Sequence, residues 1–321
     1  MTKIILKSKS SNETYSFHHP HGRIGEGALA YVYKGESSKG LPVAVKVLKR
    51  ETTSNGHVTK IFEDSSLINV QNDHLMKVYD YIVTDAETTK PKFHLIMEYI
   101  DGSSFDKVLS GPIELDKAIE FTIQLCVGLK ALHQIGYIHQ DIKPSNLLLG
   151  AGHFLKIADF DTIRPLANIP KNETFIGSYT YCSPEHILSK TVGYYSDVWA
   201  AGAFMYEAIH GRPVFGQMTS GEEKRALVQK GEIKLSPDNR NSLNNILAKA
   251  LAIDVDLRYK TAQDFEADLR AYQDKSSKWY FPLYDKYYLG STLPPYLKIG
   301  VGVTLIILLL IHLIRLLSER L

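Results

Sequence analysis

The chain has 321 residues, of which 44% are hydrophobic and 22% are charged, and its net charge is +2. This balance is typical of a folded globular protein, and it excludes a mainly disordered chain and a membrane protein with many spans. The near-neutral charge provides no field that would attract nucleic acid, so no nucleic acid is expected as a partner. Two cysteines, Cys126 and Cys182, are too few for a disulfide scaffold.

Residues 1–99 are predicted to be rich in β-strands, with about the first 17 residues as an extension. A helical pattern around residues 61–70 interrupts the strands. Apolar and polar residues alternate in three runs that Gly, Pro and Asn separate, at 31–33, 43–48 and 93–97.

Residues 100–272 are predicted to be mainly helical, and an aromatic-rich linker follows at 273–297. A strand-rich part followed by a helix-rich part favours an α+β fold with two lobes and a cleft between them. One long amphipathic helix is indicated by Phe121, Ile123, Leu125, Cys126, Leu129 and Leu132, and a second by Leu243, Ile246, Leu247 and Leu251.

A glycine-containing motif and a lysine come first among the residues that can carry chemistry. Glycines in Ile24-Gly25-Glu26-Gly27-Ala28-Leu29-Ala30-Tyr31-Val32 would let the backbone approach a phosphate, although such short patterns are also common in turns. Lys46 follows in an apolar strand pattern, where an ammonium group needs an anionic partner. Bound phosphates or Glu63 could supply that partner, and a surface lysine on an edge strand is the alternative.

A second group of polar residues matches the needs of phosphoryl transfer. Asp141, Lys143 and Asn146 lie in Tyr137-Ile138-His139-Gln140-Asp141-Ile142-Lys143-Pro144-Ser145-Asn146, and Asp159 follows in Lys156-Ile157-Ala158-Asp159-Phe160. Magnesium-assisted transfer requires hard oxygen ligands for the metal and a carboxylate that orients the attacking hydroxyl.

In this order the motifs resemble those of the eukaryotic-type protein kinase family, and the resemblance covers about residues 18–272. Residues 177–185 resemble the end of the activation loop, and residues 196–202, which include Asp197, resemble the helix after it. Arg258 resembles the arginine that pairs with a glutamate, here Glu185. The resemblance implies a two-lobed kinase fold, with an N-lobe at 1–99 and a C-lobe at 100–272.

The resemblance also implies a cofactor set, ATP with Mg²⁺ (or Mn²⁺), and a role for each matched residue. Lys46 would pair with Glu63 and contact the α- and β-phosphates of ATP. Lys143 would stabilise the phosphoryl group during its transfer. Asp141 would orient the substrate hydroxyl, while Asn146 and Asp159 would hold the metal. Glu185, Asp197 and Arg258 would be structural. The implied nucleotide site consists of Ile24, Gly25, Glu26, Gly27, Ala28, Leu29, Ala30, Val32, Ala44, Lys46, Met97, Glu98, Tyr99 and Leu148.

The pair Lys143-Pro144 resembles the serine/threonine branch, so protein substrates with Ser or Thr acceptors are expected. Two departures from the family stand out: Gln140 replaces an arginine that pairs with an activation-loop phosphate, and Asp161 replaces a glycine beside the metal site. The first predicts activity that does not require activation-loop phosphorylation. The second favours the alternative interpretation, a nucleotide-binding pseudokinase or membrane-tethered scaffold.

The C-terminal part has the pattern of a membrane span. No Asp, Glu, Lys or Arg occurs from Ile299 to Ile314. At about 1.5 Å per residue, a helix of residues 299–317 would be roughly 28 Å long, close to the thickness of a bilayer core. The run is apolar on all faces, which argues against an interfacial helix, whereas a helix docked on the catalytic domain is a further alternative. We predict one transmembrane helix at 298–317 with a short tail at 318–321.

Aromatic residues of the linker favour the same interpretation, because Trp and Tyr accumulate at the headgroup level of membranes. The expectation is a single-pass tail anchor in a lipid bilayer, with the kinase domain on the cytoplasmic side, where ATP is available. The aromatic residues that precede the span are Trp279, Tyr280, Phe281, Tyr284, Tyr287, Tyr288 and Tyr296.

Overall fold

The computed structural model describes residues 2–27, 29–49, 65–85, 91–169, 178–218, 220–231, 233 and 242–276. The predicted transmembrane helix at 298–317 and the linker beyond residue 276 lie outside these residues. Within the described ranges, no helix is both long enough and apolar enough to cross a membrane.

Seven strands at the N-terminal end form one antiparallel sheet. They are β1 (Thr2–Lys7), β2 (Thr14–His19), β3 (Arg23–Glu26), β4 (Ala30–Ser37), β5 (Pro42–Leu48), β6 (Val78–Thr84) and β7 (Lys92–Glu98). The strand order is β1-β2-β4-β5-β7-β6, and β3 pairs with β4 beside this path. A short helix, α1 (Ser65–Ile68), precedes β6.

The two faces of this sheet pack against different cores, because successive side chains of a strand point to opposite faces. On β5, Val43 and Val45 pack into a core that belongs to the N-lobe alone. Ala44 and Leu48 join the main core instead, which continues into the helical lobe. Lys46 lies between Ala44 and Leu48 in this alternation, so its side chain is directed toward the space between the lobes.

The predicted N-terminal extension is part of the sheet. β1 pairs with β2 over its whole length, with Leu6 opposite Tyr15. The Leu6 side chain is buried together with Ile82 of β6, whereas the neighbouring Ile5 points outward and is 62% exposed. Strand β1 therefore closes one side of the small N-lobe core.

The C-lobe is helical, as the sequence pattern predicts, and its centre is formed by two long helices. Its helices are α2 (Phe105–Val108), α3 (Leu115–Gln134), α4 (Pro184–Ile187), α5 (Tyr194–His210), α6 (Gly221–Lys230), α7 (Ser242–Ala250) and α8 (Ala262–Ser276). The apolar positions of the predicted long helix, such as Leu125 and Leu129, are fully buried in α3. The expected division into a strand-rich and a helical lobe is confirmed.

Two small sheets at the top of the C-lobe position the loops that face the N-lobe. Strands β10 (Leu147–Gly150) and β11 (Phe154–Ile157) pair with each other, and β8 (Ser103–Ser104) joins β10. Strand β9 (Tyr137–Ile138) pairs with β12 (Arg164–Pro165). The residues between β9 and β10, and those between β11 and β12, are thereby held side by side.

Candidate active site

Asp197, at the start of α5, fixes the backbone of the loop that follows β9. Its carboxylate is 1% exposed and accepts hydrogen bonds from the backbone N–H groups of His139 (2.8 Å) and Gln140 (2.9 Å). The Nε2 atom of His133 lies 2.9 Å from the same carboxylate. Burial alone would raise the pKa of Asp197, but the hydrogen bond with His133 and the neighbouring charges outweigh it and lower the pKa. Asp197 therefore remains ionised.

The carboxylate of Asp141 is held by three neighbouring groups. Lys143 Nζ donates to Oδ2 at 2.6 Å, and Asn146 Nδ2 donates to the same oxygen at 3.0 Å and to the Asp141 carbonyl at 2.9 Å. The backbone N–H of Ser178 donates to Oδ1 at 3.3 Å. The arrangement orients a carboxylate at the mouth of the cleft beside a cation, as a hydroxyl-orienting group requires.

Lys46 crosses the cleft from β5 and contacts two carboxylates of the C-lobe. Its Nζ atom donates to Asp159 Oδ1 and to Asp161 Oδ1, both at 2.6 Å. The side chain is only 8% exposed. Burial alone would lower the pKa of Lys46, but the two negative charges outweigh it and raise the pKa. Lys46 is therefore a fixed cation between the lobes.

The two aspartates differ in their electrostatics and in their backbone. Burial tends to raise the pKa of Asp159, but the ammonium of Lys46 outweighs it and lowers that pKa. Burial and the charge of Asp159 together raise the pKa of Asp161 despite Lys46. Asp159 has a φ of 65°, whereas Asp161 is not among the residues with positive φ. The left-handed backbone that favours glycine thus occurs at Asp159, and Asp161 fits without strain of this kind.

Asn146 and Asp159 fit, by their chemistry, the magnesium site that the resemblance implies. The amide nitrogen of Asn146 donates both hydrogen bonds to Asp141. The amide oxygen of Asn146 takes no part in these bonds and is available to a metal. Asp159 binds Lys46 through Oδ1, which leaves Oδ2 for a metal. No cluster of three or more His, Cys, Asp or Glu side chains able to hold a metal occurs in the described part of the chain. Two oxygen ligands completed by phosphates match the preference of Mg²⁺.

Apolar residues of the implied nucleotide site meet on neighbouring strands. In the sheet register, Ala44 of β5 lies opposite Met97 of β7, and Val32 of β4 lies opposite Lys46. Leu148 of β10 packs against the same core from the C-lobe side. Met97 is 5% exposed and belongs to the main core.

The glycine motif forms the β3–β4 hairpin above this site. Gly25 pairs with Val32, and the N–H of Gly27 donates to the carbonyl of Ala30 at 2.9 Å. Ile24 on β3 is 52% exposed. Leu29 accepts a hydrogen bond from the N–H of Lys49 through its carbonyl. Ala28 lies outside the described residues.

Charged and aromatic residues of the predicted site make further contacts around the cleft. Glu26 pairs with Arg23 at 3.0 Å and with Lys49 at 3.1 Å. Tyr99 lies beneath the ammonium of Lys34, which is 4.1 Å from its ring centre. Glu26 and Tyr99 therefore each have basic side chains as partners.

Two contacts were not predicted from the sequence, and one predicted contact lies outside the described residues. Asp161 was expected beside the metal site, but not as a partner of Lys46. Lys156 Nζ donates to Glu98 Oε2 at 2.7 Å and so ties the segment between the lobes to β11. Acidic and basic residues far apart in sequence carry no signal of such pairing. The pairing of Lys46 with Glu63 involves a residue that the structure does not describe.

Arg258 and Glu185 form a buried ion pair beneath the site. Arg258 donates from Nη1 to Glu185 Oε1 at 2.8 Å and from Nη2 to Oε2 at 3.1 Å, and Ser196 Oγ donates to Oε1 at 2.6 Å. Burial would raise the pKa of Glu185, but the guanidinium outweighs it and lowers the pKa. The pair anchors α4, which closes the segment containing Ser178, against the body of the C-lobe.

Comparison with known proteins gives consistent matches. Residues 18–268 match the protein kinase domain family. The serine/threonine-protein kinase PknB of Mycolicibacterium smegmatis is 32% identical over 241 residues, which cover 71% of this chain and 38% of the relative. The serine/threonine-protein kinase atg1 of Dictyostelium discoideum is 34% identical over 246 residues, which cover 74% and 36%. A probable serine/threonine-protein kinase of Clostridium perfringens is 28% identical over 256 residues, which cover 77% and 37%.

The aligned regions span between 36% and 38% of the length of these relatives. The family match includes both lobes and every site residue described above, from the glycine hairpin to Arg258. The match thus extends over most of the sequence and over all of the cleft, and the chain belongs to the protein kinase domain family.

Proposed function

We propose that this chain is an ATP-dependent protein serine/threonine kinase, anchored in a membrane with its catalytic domain on the cytoplasmic side. The observation that carries the catalytic part is the contact of Asp141 with Lys143 and Asn146, opposite the pair formed by Lys46 and Asp159. A scaffold without catalysis would not need this set of groups to converge on one cleft.

The nucleotide would bind between the lobes. The backbone of the hairpin at Gly25 and Gly27 would cover the phosphates, and Lys46 would contact the α- and β-phosphates. Asn146 and Asp159 would hold Mg²⁺, which neutralises phosphate charge when bound. The adenine would lie between Val32 and Ala44 of the N-lobe and Leu148 of the C-lobe.

The transfer step is an in-line displacement. The substrate hydroxyl oxygen forms a bond to the γ-phosphorus, the bond from that phosphorus to the β–γ bridging oxygen breaks, and ADP leaves. The hydroxyl proton passes to the Asp141 carboxylate late in the step, and Lys143 offsets the negative charge of the migrating group. Serine and threonine are the proposed acceptors because Lys143-Pro144 resembles that branch and because the named relatives are serine/threonine-protein kinases.

Transfer of labelled γ-phosphate from Mg–ATP to a generic basic protein tests the catalytic part. Label on Ser and Thr is expected, with a loss of about 100-fold or more in Asp141→Asn, because the hydroxyl-orienting carboxylate is removed. Asp116→Asn, an exposed carboxylate at the start of α3, is the matched control. Wild-type protein that binds Mg–ATP without transferring phosphate would support the pseudokinase alternative, and label on Tyr would contradict the proposed acceptor class.

The proposed anchor is residues 298–317, and its support is the uncharged apolar run together with the aromatic residues before it. A membrane anchor would raise the effective concentration of substrates at the same membrane. The proposed localisation is therefore a single-pass membrane protein whose substrates are near the bilayer.

Membrane fractionation of the full chain tests the anchor. Wild-type protein is expected to stay in the pellet after carbonate and to enter solution with detergent. Leu308→Arg with Leu309→Arg places two charges at the centre of the run, each costing about 3 kcal/mol in a bilayer, so this variant is expected to leave the membrane. Leu308→Ala with Leu309→Ala is the matched control. Carbonate extraction of the wild type would contradict the proposal.

A further inference from the structure

Asp161 forms a second, buried ion pair with Lys46, the cation that would face the nucleotide in the proposed function. Its Oδ1 atom lies 2.6 Å from Lys46 Nζ, as close as Asp159 Oδ1. Its side chain is 14% exposed, less than half the exposed fraction of Asp159, which is 36%. In the described ranges, Lys46 is the only cation that forms an ion pair with Asp161.

A carboxylate this deeply buried is costly unless a charge compensates it. Asp161 is not in the left-handed backbone region, so neither the local turn nor solvation explains an aspartate here. Phe160, between the two aspartates, is buried in the main core, while both carboxylates face Lys46. Among the described residues, the contact with Lys46 is therefore what compensates the charge of Asp161 in part.

The two aspartates have different tasks when a metal binds. Asp159 is one of the two residues whose oxygens fit Mg²⁺, so metal binding draws its carboxylate away from an exclusive contact with Lys46. A buried ammonium that loses its counter-ion is strongly destabilised. Asp161 already lies at hydrogen-bond distance on the same nitrogen, and it can remain there while Asp159 binds the metal.

We propose that Asp161 is a positioning residue that keeps Lys46 in place as its counter-ion while Asp159 binds Mg²⁺. The resemblance assigns this task to Glu63, and the inference assigns it to Asp161 in addition. It rests on the proposed function only in taking the cleft as a Mg–nucleotide site. Asp161 would act through its contact with Lys46.

The inference predicts an effect that depends on magnesium. In Asp161→Asn, Lys46 keeps Asp159 as a partner as long as no metal is bound, so the Kd for ADP in the presence of a chelator should change by less than about twofold. With Mg²⁺ present, Asp159 is shared with the metal and no other carboxylate of the described residues pairs with Lys46, so the Kd for Mg–ADP and the KM for ATP should rise about tenfold. Asp161→Glu should recover part of this loss, because it restores the charge.

Calorimetry on the full chain measures the two Kd values, and steady-state kinetics separates KM from kcat. Asp161→Gly provides a second variant if Asp161→Asn does not fold, since glycine adopts any backbone conformation. Asp116→Asn is the matched control and should leave both Kd values unchanged. Glu63→Gln tests the other candidate partner of Lys46. A loss of Mg–ADP affinity in this variant that is smaller than the loss in Asp161→Asn supports the inference.

Three outcomes would overturn the inference: unchanged binding of Mg–ADP in Asp161→Asn, equal losses with and without Mg²⁺, or tighter binding, which would identify Asp161 as a brake on Lys46. A wild-type protein that binds Mg–ADP but transfers no phosphate contradicts the proposed function and leaves these binding measurements intact. Failure of the inference and failure of the proposed function are thereby distinguishable.

Discussion

At the scale of single residues, Gln140 shows how a loop can keep its backbone geometry although a side chain departs from the family pattern. Gln140 stands where the family has an arginine, yet its backbone has a φ of 70° and its N–H is bound by Asp197. The side chain differs from the family pattern, while the loop geometry is maintained by the backbone contact. The sequence predicts the group of Asp141, Lys143 and Asn146 because these residues are close together in the chain, whereas the support from Asp197 comes from a residue 57 positions beyond Gln140.

The buried pair of Glu185 and Arg258 leads to a prediction on stability. Glu185→Gln removes one partner and leaves a 2% exposed guanidinium without its carboxylate, so a loss of about 3 kcal/mol or more in the free energy of unfolding is expected. Urea unfolding at pH 7 measures it. Asp256→Asn removes the carboxylate of an exposed ion pair with Lys260 and should cost less than about 1 kcal/mol.

The same pair has a pH dependence with a defined sign. The pKa of Glu185 is lower in the folded chain than in the unfolded chain, so its stabilisation is fully present above the ordinary carboxyl pKa and is lost as the pH falls through the lower, folded value. The gap in stability between wild type and Glu185→Gln should therefore narrow below about pH 4.5. A gap that is constant from pH 7 into this acidic range would contradict the assignment.

For Lys224, removal of a buried charge is expected to raise the stability of the fold, whereas for Glu185 it lowers it. It is 1% exposed, its Nζ atom donates to the carbonyl of Thr180 at 2.9 Å, and it forms no ion pair with a carboxylate in the described ranges. Burial lowers its pKa to about 8. Lys224→Met removes the cost of burying a charge but also loses one hydrogen bond. The net effect at pH 7 should be a gain of about 1–2 kcal/mol in the free energy of unfolding.

The pH dependence of Lys224 tests the same cause. Between about pH 8 and pH 10.5 the unfolded chain binds more protons at Lys224 than the folded chain, so the stability of the wild type should rise relative to Lys224→Met in that window. Urea unfolding across the window measures the difference. Lys230→Met, at an exposed position of the same helix α6, is the control and should show no such rise. A destabilised Lys224→Met with no pH trend would contradict the prediction.

At the scale of elements, the alternation of side chains along a strand determines on which face of the sheet a residue lies. Period two predicts that Lys46 shares one face of β5 with Ala44 and Leu48, but the structure is needed to show that this face is directed toward the other lobe. The role of β1 could not be predicted in this way, because Leu6 shares a core with Ile82, a residue far from it in the sequence.

Strand β1 offers a matched pair of substitutions for testing this packing. Leu6 is 1% exposed and Ile5 is 62% exposed on the same strand. Leu6→Ala should lower the free energy of unfolding by about 2–3 kcal/mol, since it leaves a cavity in the N-lobe core. Ile5→Ala should change it by less than about 0.5 kcal/mol. Urea unfolding measures both, and equal effects at the two positions would show that β1 does not pack on the sheet in this register.

At the scale of the whole molecule, the family motifs predicted both lobes but not how they are joined. The cleft contacts link residues far apart in sequence, as in Lys46 with Asp161 and Lys156 with Glu98. Charged residues of either sign are frequent in any sequence, so pattern and spacing cannot select the pairs that meet. The predicted span at 298–317 rests on composition alone, because it lies outside the described residues.

Because the lobes meet at Lys46 and Asp159, a bound nucleotide should stabilise the whole molecule through magnesium. A ligand at 100 times its Kd adds about 2.7 kcal/mol to the folded state, which corresponds to a rise of about 5 °C or more in Tm for a domain of this size. Mg–ADP should produce this shift in the wild type, and ADP with a chelator a smaller one. Asp159→Asn removes a proposed metal ligand, so its shifts with and without Mg²⁺ should be equal. Thermal unfolding followed by circular dichroism measures the four conditions, and a Mg²⁺-dependent shift that survives in Asp159→Asn would place the metal on other residues.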